Sequence, residues 1–169
     1  MKKWEQRSPE IAYGLNPAYY ALLLYEAVSS FQNKRDSGMP FALALLILPL
    51  LFYTKVRERL PHNERTSLYE WLKEYPEVRI DFPRKVSQLL PYTRESMIFA
   101  IQQSVIEINQ QGNFIVVKER VKKKVLKQLD WPKDSTAASG IEKAKLLGKW
   151  FAFLGGNAES IYRSLGIRL

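Results

Sequence analysis

The residues best able to act on another molecule lie in one run, Lys118 to Lys127 (KERVKKKVLK), the densest charge in the chain. Read as a helix, the run sets Val121, Val125 and Leu129 on one face and surrounds them with cations, which describes a docked helix with a basic outer face. Lys118, Arg120, Lys122, Lys123, Lys124 and Lys127 are therefore the candidate contacts to DNA or to an acidic patch on a partner. Against DNA, each phosphate they neutralise would add salt-dependent affinity without reading sequence. Arg94, Gln102 and Gln103 are of types that can reach base edges. A second set is aromatic. Trp131, Trp150, Phe153 and Tyr162 are candidate partner contacts, because aromatic side chains dominate interface hot spots. Lys149 to Phe153 (KWFAF) places aromatics on more than one helical face, more than one core needs.

Covalent chemistry has little to work with. His62 is the only histidine and sits in a Pro-His-Asn loop, so a histidine-rich metal site is excluded. The carboxylates show no clustered spacing for magnesium. No GxxxxGK[ST] phosphate loop is present, and the adjacent pair Gly155-Gly156 follows a helix instead of opening one behind a strand. Glu-x-Lys and Gly-x-Ser-x-Gly are absent as well. No catalytic, cofactor-binding or metal-ligating residue is expected, and the chain reads as a non-enzyme.

The whole chain agrees with a binding role. Its 169 residues carry 26 Lys plus Arg against 17 Asp plus Glu, a formal charge of +9, which favours a polyanionic partner. With 46% hydrophobic residues it can bury a core, and with no cysteine it fits a reducing compartment. The first ten residues have lysines but no apolar stretch behind them, so no signal peptide is expected and the localisation reads as cytoplasmic.

The elements that would position these residues gather round Met39 to Tyr53 (MPFALALLILPLLFY), which contains no charge. It is shorter than the roughly 20 apolar residues that span a bilayer. Pro40–Leu48 therefore reads as a helix buried on all sides, with Pro49 ending or kinking it. Before it, Asn16-Pro17 starts an amphipathic helix to about residue 34, with Tyr20, Leu24, Ala27, Val28 and Phe31 inward. After it come a short basic turn from Thr54 to Leu60 and a capping box, Ser67 with Glu70, that opens a helix to about Tyr75. Pro83 starts a helix to Leu90 that Pro91 stops. Thr93 caps another to about Ser104, with Met97, Ile98, Ile101 and Val105 as its apolar stripe. A β-hairpin follows, Val105–Asn109 and Asn113–Val117 around Gly112. Ser139 with Glu142 is a second capping box, opening a helix to about Leu154, and Asn157 caps the last one.

The expected fold is thus a compact helical domain, mainly α with a small β-hairpin and winged-helix-like in its middle section. One domain spans 1–169. Residues 1–62 hold the N-terminal helices, 63–118 the winged-helix-like section, and 119–169 the basic helix and a C-terminal helical hairpin.

Several separated stretches, taken in order, resemble a known family. They are Trp4–Glu10 (WEQRSPE), Leu15–Pro17, Gly38–Phe41 with its apolar run, Arg57–Pro61, Thr66–Leu68, Lys143–Phe151 (KAKLLGKWF), Ile161–Tyr162 and Leu165–Arg168. The chain is similar in these stretches to the middle component of bacterial three-component ABC systems, the Lamassu-type anti-phage defence operons. The resemblance implies a non-catalytic subunit that sits with an SMC-like ABC ATPase and a nuclease or other effector, and that meets double-stranded DNA through the complex. It implies no membrane contact and carries over no catalytic residue. The residues alone also fit a different class, a stand-alone winged-helix transcription regulator that binds duplex DNA, usually as a dimer.

Overall fold

The computed structural model describes residues 15–116 and 136–168. The arm before Leu15, the basic run 118–127 and the loop around Trp131 lie outside the described residues. Within them are seven α-helices, one 3₁₀ turn and a small three-stranded antiparallel sheet. The elements, in order, are α1 (Pro17–Gln32), β1 (Met39–Pro40), α2 (Phe41–Phe52), α3 (Thr54–Arg57), α4 (Leu68–Glu74), the 3₁₀ turn Pro76–Arg79, α5 (Phe82–Gln102), β2 (Glu107–Ile108), β3 (Asn113–Ile115), α6 (Thr136–Phe153) and α7 (Ala158–Ser164).

Local signals set most of the helix starts. The Asn16 side chain accepts from the Ala18 and Tyr19 N–H groups, and Pro17 needs no partner at the first helical position. The Ser67–Glu70 capping box forms in both directions. Asn157 accepts from the Ser160 N–H. α6 ends where Gly155 and Gly156 take φ of +84° and +68°, which lets the Gly156 N–H reach back to the Phe151 carbonyl at 2.9 Å.

α2 is the centre. Leu43, Leu46, Leu50 and their neighbours are buried, in one continuous core that also takes residues from α1, α5, α6, α7 and the sheet. The helix runs four residues past Leu48, with Pro49 inside it. The proline forfeits one backbone bond, but stopping there would have exposed Leu50 and Leu51, and burying a leucine is worth about 2 kcal/mol.

The same competition corrects the reading of Pro83–Ser104. Pro91 does not stop a helix, and Thr93 does not cap one: α5 is a single helix through both. Phe82, Val86, Leu89, Thr93, Met97 and Ala100 form an unbroken buried stripe, while Pro91 lies exposed on the opposite face with Ser87, whose carbonyl loses its donor. That carbonyl meets water, so the missing bond costs little. Thr93 is buried, and its hydroxyl donates to the Leu89 carbonyl at 3.0 Å. Ile98 and Ile101, expected inward, are 55% and 39% exposed, because the stripe runs through Met97 and Ala100 instead.

The hairpin forms and gains a third strand. The sheet order is β1-β3-β2, with Phe114 opposite both Met39 and Ile108. Asn109 closes the turn by accepting from the Gln111 and Asn113 N–H groups, and its amide donates to the Ser37 carbonyl. Gly38, at φ +76°, lets β1 approach: a Cβ there would fall 2.7 Å from the Ile115 side chain. The order helix, strand, helices, hairpin is compatible with a winged-helix-like arrangement, but its outer strand comes from the N-terminal section and not from 63–118.

α6 begins at Thr136, so Ser139 lies inside the helix and the second capping box does not form at its start. Ala137 and Ala138 are strong helix formers and carry the helix upstream. Its seam against α1 is made by Gly140, Ala144 and Gly148. A Cβ on Gly148 would collide with the Ala27 carbonyl and stand 3.0 Å from the Ser30 Cβ; one on Gly140 would collide with the hydroxyl at the far end of the Tyr19 side chain and make ordinary contact with Leu23 at 3.6 Å.

The two glycines should therefore respond differently. Gly148→Ala is expected to destabilise the protein by about 1–3 kcal/mol, because backbone has to move and the overpacking outweighs the gain in helix propensity. Gly140→Ala should be close to neutral, since the Tyr19 ring can swing. Urea denaturation of both variants checks this, and equal midpoints would show that the seam is not set by backbone contact.

Candidate functional site

Two buried tryptophans hold the connection between α3 and α4. Trp71 on α4 donates its indole N–H to the Arg59 carbonyl at 2.5 Å, and Trp150 on α6 donates to the Thr66 carbonyl at 2.7 Å. The rings meet edge to face with centroids 4.9 Å apart, and Trp150 stacks on Phe151 at 5.9 Å. A tryptophan can bury its ring only if its N–H finds an acceptor, so the same two side chains fill the core and pin a loop at both ends.

The pinned loop faces α6 across an open cleft of about 440 Å³. His62, Glu64 and Arg65 line the loop side, and Lys145, Leu146 and Lys149 the helix side. Asn63 shapes the loop by accepting from the Arg65 N–H at 2.8 Å. Glu64 accepts from Lys34 at the end of α1, and Glu142 from Lys145, each at 2.7 Å. The Lys34 hydrogen bond holds the Glu64 carboxyl below the usual carboxylate range; the charges of Lys34, Lys149 and Arg65 act the same way, against the effect of burial. On α1, burial holds the Glu26 carboxyl above that range; Lys145 counters this, and Glu142 adds to it. Arg65 and Lys149 are exposed and have no carboxylate partner among the described residues. The arrangement can bind an anion. Among the described residues, no group of three or more His, Cys, Asp or Glu side chains is placed to hold a metal ion.

Of the expected contacts, Lys118, Arg120, Lys122, Lys123, Lys124, Lys127 and Trp131 lie outside the described residues. Trp150 is 1% exposed and Tyr162 is buried, its hydroxyl donating to the Ala42 carbonyl at 2.6 Å. Both are core residues whose polar ends are satisfied within the chain. Phe153, by contrast, is 53% exposed. It follows Lys145 and Lys149 at four-residue steps, so the three share one outer face of α6. Arg94, Gln102 and Gln103 are exposed along the end of α5, beside Ile98 and Ile101. Sequence reasoning missed the cleft. Its local signal was the Glu142, Lys145, Lys149 spacing, which one helix face collects, but nothing local brings residues 62–65 to it.

Fold and site together define a small, mainly helical protein around an apolar helix, with a cationic cleft on its surface and no helix, among the described residues, long and apolar enough to cross a membrane. The chain belongs to the family of Middle Component 3 of the ABC-three component (ABC-3C) systems, whose family model matches residues 4–169. The resemblance carried by the ordered stretches is to this group. No curated protein and no solved structure gives a significant match.

Tyr162 supplies a pH test of the core. Burial pushes its phenol up from 10.0 to about 12. In the unfolded chain it ionises near pH 10, in the folded one only near pH 12, so its contribution to stability is complete below pH 10 and is lost as pH rises through that window. Wild type should lose stability on this alkaline limb, and Tyr162→Phe should lose less between pH 10 and 12 while being about 1 kcal/mol weaker at neutral pH for want of the Ala42 bond. Thermal unfolding across pH checks both. Tyr20, also raised by burial, leaves a residual limb in the variant.

Proposed function

We propose that this middle component is a non-catalytic accessory subunit of an anti-phage defence complex, bridging an SMC-like ABC ATPase and a nuclease-type effector and aiding the sensing or clamping of foreign DNA. The observation that carries the reading is membership of the ABC-3C middle-component family along almost the entire chain, 4–169. Two surface features support it. Phe153 is a large apolar side chain left open on a well-packed helix, as a protein partner requires. The basic run of Lys118, Arg120, Lys122–Lys124 and Lys127 supplies charge for DNA or for an acidic patch on a partner.

The test is co-purification from cells that express the three components, with this subunit tagged. Recovery of a large coiled-coil ATPase and the effector is the expected result. Phe153→Ser should cut retention of one of them about tenfold, at least 1.4 kcal/mol, without shifting the unfolding temperature. A monomer indifferent to both neighbours would overturn the bridging role. Recovery of duplex DNA with no protein would favour the stand-alone winged-helix regulator.

A further inference from the structure

We infer that the cleft between the 62–65 loop and α6 is a docking site for the phosphodiester backbone of DNA, gated by Glu64. The inference rests on the reading that this subunit works on DNA, but uses residues distant in sequence from the 118–127 run. Three cations, Arg65, Lys145 and Lys149, line the cleft against two carboxylates, Glu64 and Glu142, an excess of one positive charge, and Lys34 at its edge pairs with Glu64. Both carboxylates are already bonded to lysines, whereas Arg65 and Lys149, which feel Glu64 only at a distance, form no direct ion pair among the described residues.

The walls are fixed. The loop is held by the Trp71 and Trp150 indoles and by the Asn63 turn, and the Arg35 guanidinium, beside Lys34, donates to the Ala152 carbonyl at 2.9 Å. Charge held on a fixed frame binds without first ordering the frame. The lining also separates two kinds of anion. An acidic protein segment finds only Leu146 as an apolar anchor inside the cleft and would have to reach Phe153, one turn beyond Lys149, for another, whereas backbone phosphates need none.

Glu64 sets the gate. Its carboxylate holds Lys34 and lies close enough to Lys149 and Arg65 to feel both charges, so an incoming phosphate competes with it for all three cations. Removing that one negative charge without changing its shape should therefore strengthen binding, the opposite of what loss of an ordinary surface residue does.

The experiment uses the full chain and a short fluorescent duplex of mixed sequence, titrated by anisotropy at several salt concentrations. Glu64→Gln is expected to bind severalfold more tightly than wild type. The Arg65→Glu, Lys149→Glu double variant should bind at least tenfold more weakly, with the salt slope reduced by about 1 for each phosphate the cleft no longer neutralises. Lys73→Glu, an exposed charge reversal on α4, controls for net charge, and unfolding temperatures control for folding. Wild-type binding by the Glu64 and double variants, or a loss with Lys73→Glu as large as with the double variant, overturns the cleft. So does poly-glutamate competing as well as DNA at equal charge. Variants that bind DNA unchanged yet still co-purify with the other components would remove the cleft and leave the subunit role standing.

Discussion

The close approach of α1 and α6 is the constraint on which the rest of the molecule depends. The Ala27 carbonyl occupies the space a side chain at Gly148 would need, and Ala144 is fully buried one turn earlier. With the two backbones this near, α6 brings Trp150 under the α3–α4 connection. A wider seam would withdraw Trp150 from the Thr66 carbonyl and release the loop that carries His62, Glu64 and Arg65. The seam is made of absence of side chain, and its consequence is the position of a charged surface about one helical turn away. Packing and electrostatics here are one problem.

Prolines show how far local rules reach. Pro17 starts a helix because nothing competes with that preference. Pro49 and Pro91 both sit inside helices, for different reasons. Around Pro49 the surroundings are apolar on every side, and ending the helix would strand leucines in water. Pro91 lies on the outer face of α5, where water solvates the carbonyl it leaves unpaired, while the inward stripe continues beneath it. A reading residue by residue sees the lost hydrogen bond in both cases. It does not see the burial that outweighs it, because burial is decided by elements far along the chain. The caps at Asn16, Ser67 and Asn157 were legible for the converse reason: donor and acceptor are neighbours in sequence.

The site was legible in kind but not in place. The excess of basic charge favoured an anionic partner, and the described residues include a cleft lined by cations, yet these come from the 62–65 loop and α6, elements far apart along the chain. Aromatic residues mislead in the other direction. Trp150, Phe153 and Tyr162 are the same kind of side chain to a sequence reading, and only the fold sorts them: two are anchored in the core through their polar ends, at Thr66 and Ala42, and the third, which has no polar end to satisfy, faces out. Helical spacing alone could not assign the inward face, because Trp150 and Phe151 are consecutive and both buried, Trp150 edge to face with Trp71 and Phe151 stacked on Trp150.

Lys145, Lys149 and Phe153 succeed one another on a single helical face, so the two surfaces proposed for binding are neighbours on one rigid element. A protein that covered Phe153 would draw Lys149 out of water, and an ammonium stripped of solvent is costly unless an anion accompanies it. A phosphate already seated on Lys149 supplies that anion. Partner binding at Phe153 and DNA binding in the cleft would then favour each other, and by linkage the coupling has the same size in both directions. The effect needs no conformational change in the subunit. It follows from placing an apolar side chain one turn beyond Lys149, with α1 packed too tightly behind for the helix to yield.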